Sequence, residues 1–168
     1  MREQQYVSFH LDRHLLGIDI QVVREIIRNV DFTPVACAPH GVRGLLNLRG
    51  QIITVLDLGP SLGLPLREIG PTSRCLILKS PEDVAPLVEA GLVDEAPAGE
   101  SVGLLVDAIS DVIRPGEQGV DLPPANANGI DADHLRGVVR LDGRLLLVLG
   151  LKKLVEEGLG QRVPVNVD

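Results

Sequence analysis

The sequence predicts an all-β fold built by internal duplication, and two observations lead to this prediction. Short runs rich in Val, Ile and Leu recur about every ten residues along the chain, separated by Gly, Pro, Asp and Asn. These runs also occur twice in the same order. The pattern does not show strands alternating with long helices, as a parallel α/β sheet would require. The 168 residues suit one compact folding unit.

The internal repeat is clearest in two blocks. The segment VRGLLNLRGQIITVLDL at 42–58 aligns without gaps on LRGVVRLDGRLLLVLGL at 135–151, an offset of 93 residues. The segment GIDIQVVREIIR, from Gly17, aligns on GLLVDAISDVIR, from Gly103, at an offset of 86. The N-terminal run YVSFHL is similar to RCLILK at 74–79. We therefore expect two halves of related structure.

Strands are predicted where an apolar run is bounded by turn residues. They lie near 4–11, 15–20, 45–49, 51–56, 73–79, 102–107, 136–141 and 144–149. The segment at 21–27 fits a helical turn as well as a strand, so both assignments stay open. A helix is predicted from Lys152 to Glu157, with Gly158 as its stop signal. After Asp57 we expect a shorter turn that this aspartate caps.

The hairpin turns of the two halves differ in a way that singles out Arg49. The second half has Asp142-Gly143, the pair that a type I′ turn favours because both residues need positive φ. The first half has Arg49-Gly50, and arginine is poor at positive φ, so either only Gly50 adopts it or Arg49 is strained. Neither the turn nor a core calls for a guanidinium, since burying it unpaired is costly. We interpret Arg49 as a binding residue; the alternative is an ordinary solvated turn arginine.

The net charge of −7 is concentrated in one segment. Residues 80–100 contain six acids, three prolines and no base, so the rest of the chain is nearly neutral. We expect an acidic, proline-containing surface loop there. There is no basic patch, and the chain has no Trp, one Tyr and two Phe, so a nucleic-acid partner is not expected.

The expected location is the cytoplasm. No apolar run approaches the ~18 residues that span a bilayer, and the N-terminus lacks the apolar stretch of a secretory signal. The protein is therefore predicted to be soluble, without insertion into a membrane. The C-terminal segment 159–168 is predicted to be a mobile tail.

The motifs for catalysis or metal binding are weak. Cys37 precedes His40 by three residues, but two ligands without a second pair are poor support for a metal site, so neither metal nor cofactor is expected. The run 59–63 matches the G-x-S-x-G of serine hydrolases, which makes a hydrolase using Ser61 an alternative. The parallel sheet and long helix that this motif requires are not predicted. A small-ligand barrel is also disfavoured, because the predicted inward positions are aliphatic.

Five segments together resemble CheW-like domains, the family of chemotaxis coupling proteins. They are YVSFHL from Tyr6, GIDIQVVREII from Gly17, TPVACAPHGVRGLLNLRGQIITVLDL from Thr33, VGLLVDAISDVI from Val102 and LRGVVRLDGRLLLVL from Leu135. The resemblance covers residues 4–157 as a single domain. It implies two intertwined, five-stranded SH3-like β-barrels with a few short helices. The first barrel would comprise mainly 14–72, and the second mainly 73–157 together with the N-terminal strand.

The resemblance also implies a non-catalytic adaptor that couples transmembrane chemoreceptors to a CheA-type histidine kinase. Its partners would be the regulatory domain of the kinase and the cytoplasmic tip of a methyl-accepting receptor, in arrays at the inner membrane. An adaptor of a twitching-motility or other chemosensory pathway would have the same sequence features. Three positions match family residues that contact these partners: Arg49, Glu25 and Val23.

These three positions carry different expectations from the residue pattern itself. Glu25 is expected to point outward with Arg24, and the second half keeps an acid at the equivalent position. A valine is more often a core residue than a contact residue, so a core position is the main expectation for Val23. Structural roles, as turn or cap residues, are expected for four further positions: Gly50, Asp57, Asp142 and Gly143.

Overall fold

The computed structural model describes residues 4–28 and 30–160. Its strands are β1 (Tyr6–Leu11), β2 (His14–Asp19), β3 (Val23–Ile27), β4 (Val42–Leu48), β5 (Gln51–Leu56), β6 (Arg74–Leu78), β7 (Val102–Val106), β8 (Ala108–Ile113), β9 (Asn126–Ala127), β10 (Ile130–Asp131), β11 (Leu135–Leu141) and β12 (Arg144–Leu149). Its helices are α1 (Pro81–Glu89) and α2 (Leu151–Gly158). Within the described part of the chain, no helix combines the length and apolarity needed to cross a membrane. The predicted tail at 159–168 lies outside the described residues from position 161 onward.

Ten of the strands form two five-stranded sheets, and β9 pairs with β10 in a two-stranded one, which confirms the mostly β prediction. Sheet I has the order β11-β12-β2-β1-β8, and sheet II has the order β3-β6-β7-β5-β4. Within each sheet, neighbouring strands are antiparallel with one exception. The exceptions are the parallel pairs of β2 with β12 and of β5 with β7. The two sheets therefore have the same pattern, as the sequence repeat predicts.

Each sheet combines strands from both halves of the chain. The β1–β2 hairpin pairs with β8 and β12 of the second half, and the β6–β7 hairpin pairs with β3 and β5 of the first half. The expected division was mainly 14–72 for one barrel and mainly 73–157 with the N-terminal strand for the other. The composition of the two sheets differs from it at β2, β6 and β7. An apolar pattern predicts a strand but not the strand that it pairs with.

Local predictions succeed where the apolar pattern is strong. The segment at 21–27, left open between helix and strand, is a short 3₁₀ helix (Ile20–Val22) followed by β3. The predicted helix at 152–157 is confirmed as α2. Strand β8 was not predicted, because its residues are only partly buried or exposed, so the alternation of a half-buried strand is missing.

The acidic segment 80–100 is not only a loop, because it contains α1. Ser80 caps this helix, its Oγ accepting a hydrogen bond from the Asp83 amide at 3.2 Å, and a proline occupies the first helical position. Val84 and, beyond the helix, Val93 are buried in the main apolar core. The acids therefore lie on a segment that packs against the sheets.

Two glycines that coincide in the repeat allow close backbone crossings. A Cβ atom on Gly44 would lie 2.4 Å from the Thr33 carbonyl oxygen. A Cβ atom on Gly137 would lie 2.3 Å from Val120 Cγ1 and 2.8 Å from the Asp121 carbonyl oxygen. The glycine at positions 44 and 137 is thus explained by the segment that crosses over it, at Thr33 and at Val120–Asp121.

The apolar core formed by the described residues has three parts. The largest cluster draws residues from both sheets and joins them, and its fully buried members include Phe9, Leu16, Leu56, Leu76, Leu104 and Leu154. A smaller cluster lies on the other face of sheet II, around Ile53 and Ile77, and a third on sheet I, around Tyr6 and Leu146. Both sheets are therefore buried on two faces, which matches their nearly continuous apolar runs.

Candidate protein-interaction site

The β4–β5 turn holds Arg49 in a left-handed conformation. Leu48 pairs with Gln51, so the turn contains only Arg49 and Gly50, with φ values of +50° and +86°. The Gly50 amide donates a hydrogen bond to Asn47 Oδ1 at 2.9 Å, which stabilises the turn. Of the two possibilities that the sequence left, the structure has the strained one, since a left-handed arginine is unfavourable.

The side chain of Arg49 forms an ion pair across the sheet. Arg49 Nη2 donates to Glu25 Oε1 on strand β3. Strands β3 and β4 are the two edges of sheet II, so this pair joins the edges of a curved sheet. The arginine side chain is 63% exposed and the glutamate 28% exposed, so the guanidinium stays open to a partner.

A second polar link runs beside the first. Arg24 Nη1 donates to Gln51 Oε1 at 2.7 Å, and Gln51 Nε2 donates to Ser101 Oγ at 2.8 Å. The Ser101 carbonyl accepts the Thr54 amide at 2.8 Å, at the start of β7. The turn that carries Arg49 is therefore fixed by hydrogen bonds from β3 on one side and from the segment before β7 on the other.

Glu25 is less exposed than Arg24, although both residues were expected to point outward. Residues 23–27 form a strand, and the register of β3 against β6 shifts between Val23 and Glu25. Glu25 pairs with Ile77 and is partly buried, whereas Arg24 is exposed. The partial burial holds the carboxylate where Arg49 can reach it.

Val23 lies apart from this ion pair. It pairs with Leu78 and packs, partly buried, against the core between the two sheets. The structure thus brings Arg49 and Glu25 together, and it places Val23 where packing already occupies part of its surface.

The equivalent turn of the second half has a different backbone. Gly143 has a φ of +77°, but Asp142 does not adopt positive φ. The type I′ geometry expected for Asp142-Gly143 is therefore wrong, whereas in the first half Arg49 and Gly50 both have positive φ. A single left-handed glycine is enough to close the second turn.

Asp57 has a larger role than the predicted cap. It is fully buried, and the short 3₁₀ helix that follows it (Pro60–Leu62) begins after Gly59, without a side-chain cap. Asp57 Oδ1 accepts the Gly59 amide at 2.8 Å, while Oδ2 accepts the Arg67 amide at 2.6 Å and lies 3.2 Å from Arg43 Nη1. The carboxylate is therefore part of a buried ionic cluster.

Arg67 is the central residue of this cluster, and it is not among the site residues predicted from the sequence. Its side chain is 2% exposed and binds the carboxylates of Asp12 and Asp107. Burial opposes the charged guanidinium, but the Asp12 hydrogen bond and the charges of Asp107 and Asp57 prevail, so the pKa of Arg67 is raised. Aspartates directly after two apolar runs, at positions 57 and 107, were the available signal, because a buried carboxylate needs a cation.

The geometry does not support the alternative hypotheses of a hydrolase that uses Ser61 or of a metal site. Ser61 lies in a one-turn 3₁₀ helix, and in the repeat its counterpart is a core residue of α2, Leu154. In residues 4–28 and 30–160, no group of three or more His, Cys, Asp or Glu side chains is placed to hold a metal ion. Burial raises the pKa of the Cys75 thiol to about 12, which makes it unreactive.

The fold and the site define a class of protein: a duplicated, mostly β scaffold that carries an ion-paired, exposed arginine on a hairpin turn. The chain matches the model of the CheW-like domain family over residues 5–158, and it belongs to that family.

Similar proteins agree with this assignment. "Chemotaxis protein CheW" of Treponema pallidum is 34% identical over 150 residues, which cover 89% of this chain and 81% of the relative. "Chemotaxis protein CheW" of Thermotoga maritima is 31% identical over 157 residues, covering 94% and 91%. The crystal structure of the scaffolding protein TtCheW from Thermoanaerobacter tengcongensis superposes with a TM-score of 0.72 at 28% identity, covering 92% of this chain and 88% of that one. The family is one of non-catalytic chemotaxis scaffolds.

Proposed function

We propose that this chain is the adaptor that couples transmembrane chemoreceptors to a CheA-type histidine kinase in the cytoplasm. The family assignment supports the scaffolding role. The partners proposed are the regulatory domain of the kinase and the cytoplasmic tip of a methyl-accepting receptor. Signals would pass through the assembly by protein contacts alone.

The exposed Arg49–Glu25 pair is the observation that carries this proposal. Arg49 has a left-handed backbone conformation, which is unfavourable for arginine. Its repeat counterpart, Asp142, does not have positive φ. Strain of this kind is typical of functional sites rather than of ordinary turns. A cation already oriented by Glu25 loses little entropy on binding a partner.

Apolar side chains next to the turn suit a protein partner. Leu45, Asn47 and Ile52 share one face of the β4–β5 hairpin, as the strand register requires. Ile52 is 52% exposed and Leu45 is 38% exposed. An arginine with exposed aliphatic neighbours has the composition of an interface centre. Val23 is proposed as a contact only through the part of its side chain that the core leaves open.

The test is co-sedimentation of the purified chain with receptor and kinase fragments. Arg49→Glu reverses the charge beside Glu25, and we expect it to weaken co-sedimentation by about tenfold or more, as for a central interface arginine. The melting temperature should stay almost the same, since surface substitutions change stability by only ~0.5 kcal/mol.

Asp142→Arg is the matched control, because it places an arginine in the equivalent turn of the second half. It should leave co-sedimentation unchanged. Unaltered binding of folded Arg49→Glu to both fragments would refute the proposed site. Failure of the unmodified chain to bind either fragment would refute the proposed function.

A further inference from the structure

A buried guanidinium lies where the chain crosses between the two sheets. Arg67 belongs to the connection between β5 and β6, in sheet II. Its Nη1 lies 3.1 Å from Asp12 Oδ1 and its Nη2 lies 3.2 Å from Asp12 Oδ2, so the contact is bidentate. Nη1 also donates to Asp107 Oδ2 at 2.9 Å. The two carboxylates come from positions 95 residues apart in the sequence.

The two carboxylates belong to different parts of the fold. Asp12 lies in the β1–β2 turn of sheet I, and Asp107 is the single residue between β7 of sheet II and β8 of sheet I. The Asp12 amide donates to Asp107 Oδ2 at 2.7 Å, and the Asp107 amide donates to the His10 carbonyl at 3.0 Å. One guanidinium therefore contacts both sheets at the point of crossing.

The backbone of Arg67 is held as firmly as its side chain. Its amide donates to Asp57 Oδ2 at 2.6 Å, and its carbonyl accepts from Arg43 Nη1 at 2.7 Å. Arg67 Nη2 also donates to the Pro65 carbonyl at 2.7 Å. The guanidinium is thus anchored in sheet II before it reaches Asp12 of sheet I.

The repeat has no counterpart for this arrangement. Asp57 aligns on Gly150, which is followed directly by α2. The apolar core joins the two sheets elsewhere, but apolar contact is not directional, whereas a bidentate ion pair specifies both distance and angle.

We propose that Arg67, with Asp12 and Asp107, is a clasp that fixes the orientation of sheet I relative to sheet II. The clasp goes beyond the adaptor function proposed above and does not depend on any partner. In this role Arg67 is a positioning residue: it keeps the two sheets in one arrangement, which a scaffold built from them requires.

The first test is amide hydrogen exchange in the full chain. Arg67→Met keeps the length of the side chain and removes its charge. We expect exchange at 12–13, 65–73 and 107–108 to accelerate by about tenfold or more, while the central strands β1 and β7 stay protected. The matched control is Arg140→Met, which removes a 76% exposed arginine 3.4 Å from Asp121 Oδ2 and should change nothing.

The second test measures the distance between the sheets. Spin labels on cysteines introduced at Ile52 in β5 and Arg144 in β12 report it by pulsed electron resonance, in a Cys37→Ser background. Cys75 is buried and stays unlabelled. We expect Arg67→Met to broaden the distance distribution and Arg140→Met to leave it unchanged.

Asp107→Asn provides a milder variant. The amide keeps the shape and can still accept the Asp12 amide, but it loses the charge, so the same changes should appear in reduced form. If Arg67→Met does not fold, this variant alone decides. A folded variant with unchanged exchange and unchanged distances would overturn the clasp, as would acceleration spread evenly over all strands.

Discussion

Arg49 of the β4–β5 turn forms an ion pair with Glu25 of strand β3, so the two edges of one sheet meet at a charged contact. The arginine side chain of this pair is 63% exposed and the glutamate 28% exposed, and solvent-accessible pairs contribute only about 0–1 kcal/mol to stability. The left-handed backbone of Arg49 costs about 1 kcal/mol or more. A contribution to stability therefore does not explain why an arginine occupies position 49.

Arg49→Asn should make the protein more stable. Asparagine tolerates positive φ better than arginine, and this gain exceeds the loss of an exposed ion pair. We expect the free energy of unfolding in urea to rise by about 0.5 kcal/mol, while partner binding falls. The chain would then show a trade-off between stability and function at one turn.

Asp142→Asn is the matched control for that experiment. The backbone of Asp142 is not left-handed, so this substitution should leave the free energy of unfolding unchanged. A clear loss of stability in Arg49→Asn, with the control unchanged, would show that the ion pair contributes more than the turn costs.

The sequence identifies the repeat, most strands and the Arg49 turn, because each of these follows from local pattern. The contrast between Arg49-Gly50 and Asp142-Gly143 is visible in the sequence because the duplication provides an internal comparison. The type I′ turn predicted for Asp142-Gly143 was wrong, since Asp142 does not have positive φ. Residue preferences suggest a turn type, but the twist of the flanking strands decides it.

Local sequence pattern could not predict that β1 and β2 would join the sheet of the second half, or that β6 and β7 would join the sheet of the first half. A strand such as β7 has the same apolar run whether it pairs with β5 or with a strand of its own half. Arg67 was missed for a related reason. It lies in a loop rich in Gly, Pro and Leu that has no strand or helix pattern. Two of its three carboxylates, those of Asp12 and Asp107, come from distant positions that only the fold brings together.

Gly44→Ala and Gly137→Ala should both destabilise the protein, because each Cβ would collide with the crossing segment. Backbone atoms lie 2.4 Å and 2.8 Å from the respective Cβ positions, so the strands must move. We expect the free energy of unfolding to fall by about 1–3 kcal/mol in each case. Gly70→Ala is the control, since no other atom lies within 4 Å of its Cβ position and its φ is not positive. Equal stability of all three variants would contradict the proposed crossings.

Acid should weaken the protein through Asp12. The Arg67 hydrogen bond lowers the pKa of Asp12 from its usual value of 3.8, so near that pH the unfolded chain binds more protons than the folded one. The stabilisation is complete above pH 3.8 and is lost as the pH falls through the folded pKa. Asp12→Asn should flatten the dependence of the free energy of unfolding on pH below 3.8. An unchanged slope would show that the Asp12 pair is not maintained in solution.

A separate dependence on pH should come from His14. Burial is the main cause that lowers its pKa from 6.5, and the described residues supply no hydrogen-bond partner for its Nδ1. As the pH falls, His14 is therefore protonated in the unfolded chain before it is protonated in the folded one. The free energy of unfolding decreases as the pH drops below 6.5. His14→Gln should remove this loss while keeping the loss below 3.8. Urea titrations at several pH values separate the two groups.

The segment 80–100 should stabilise the fold through its apolar side chains, and not through its acids. Val84 is fully buried, so Val84→Ala removes two buried carbon groups and should lower the free energy of unfolding by about 2 kcal/mol. Removal of 82–98 would expose the same part of the core and should cost more. The paired change Glu82→Gln and Glu89→Gln is the control, and it should stay within ~0.5 kcal/mol of the unmodified chain. A deletion variant as stable as the full chain would mean that α1 only covers a core that is complete without it.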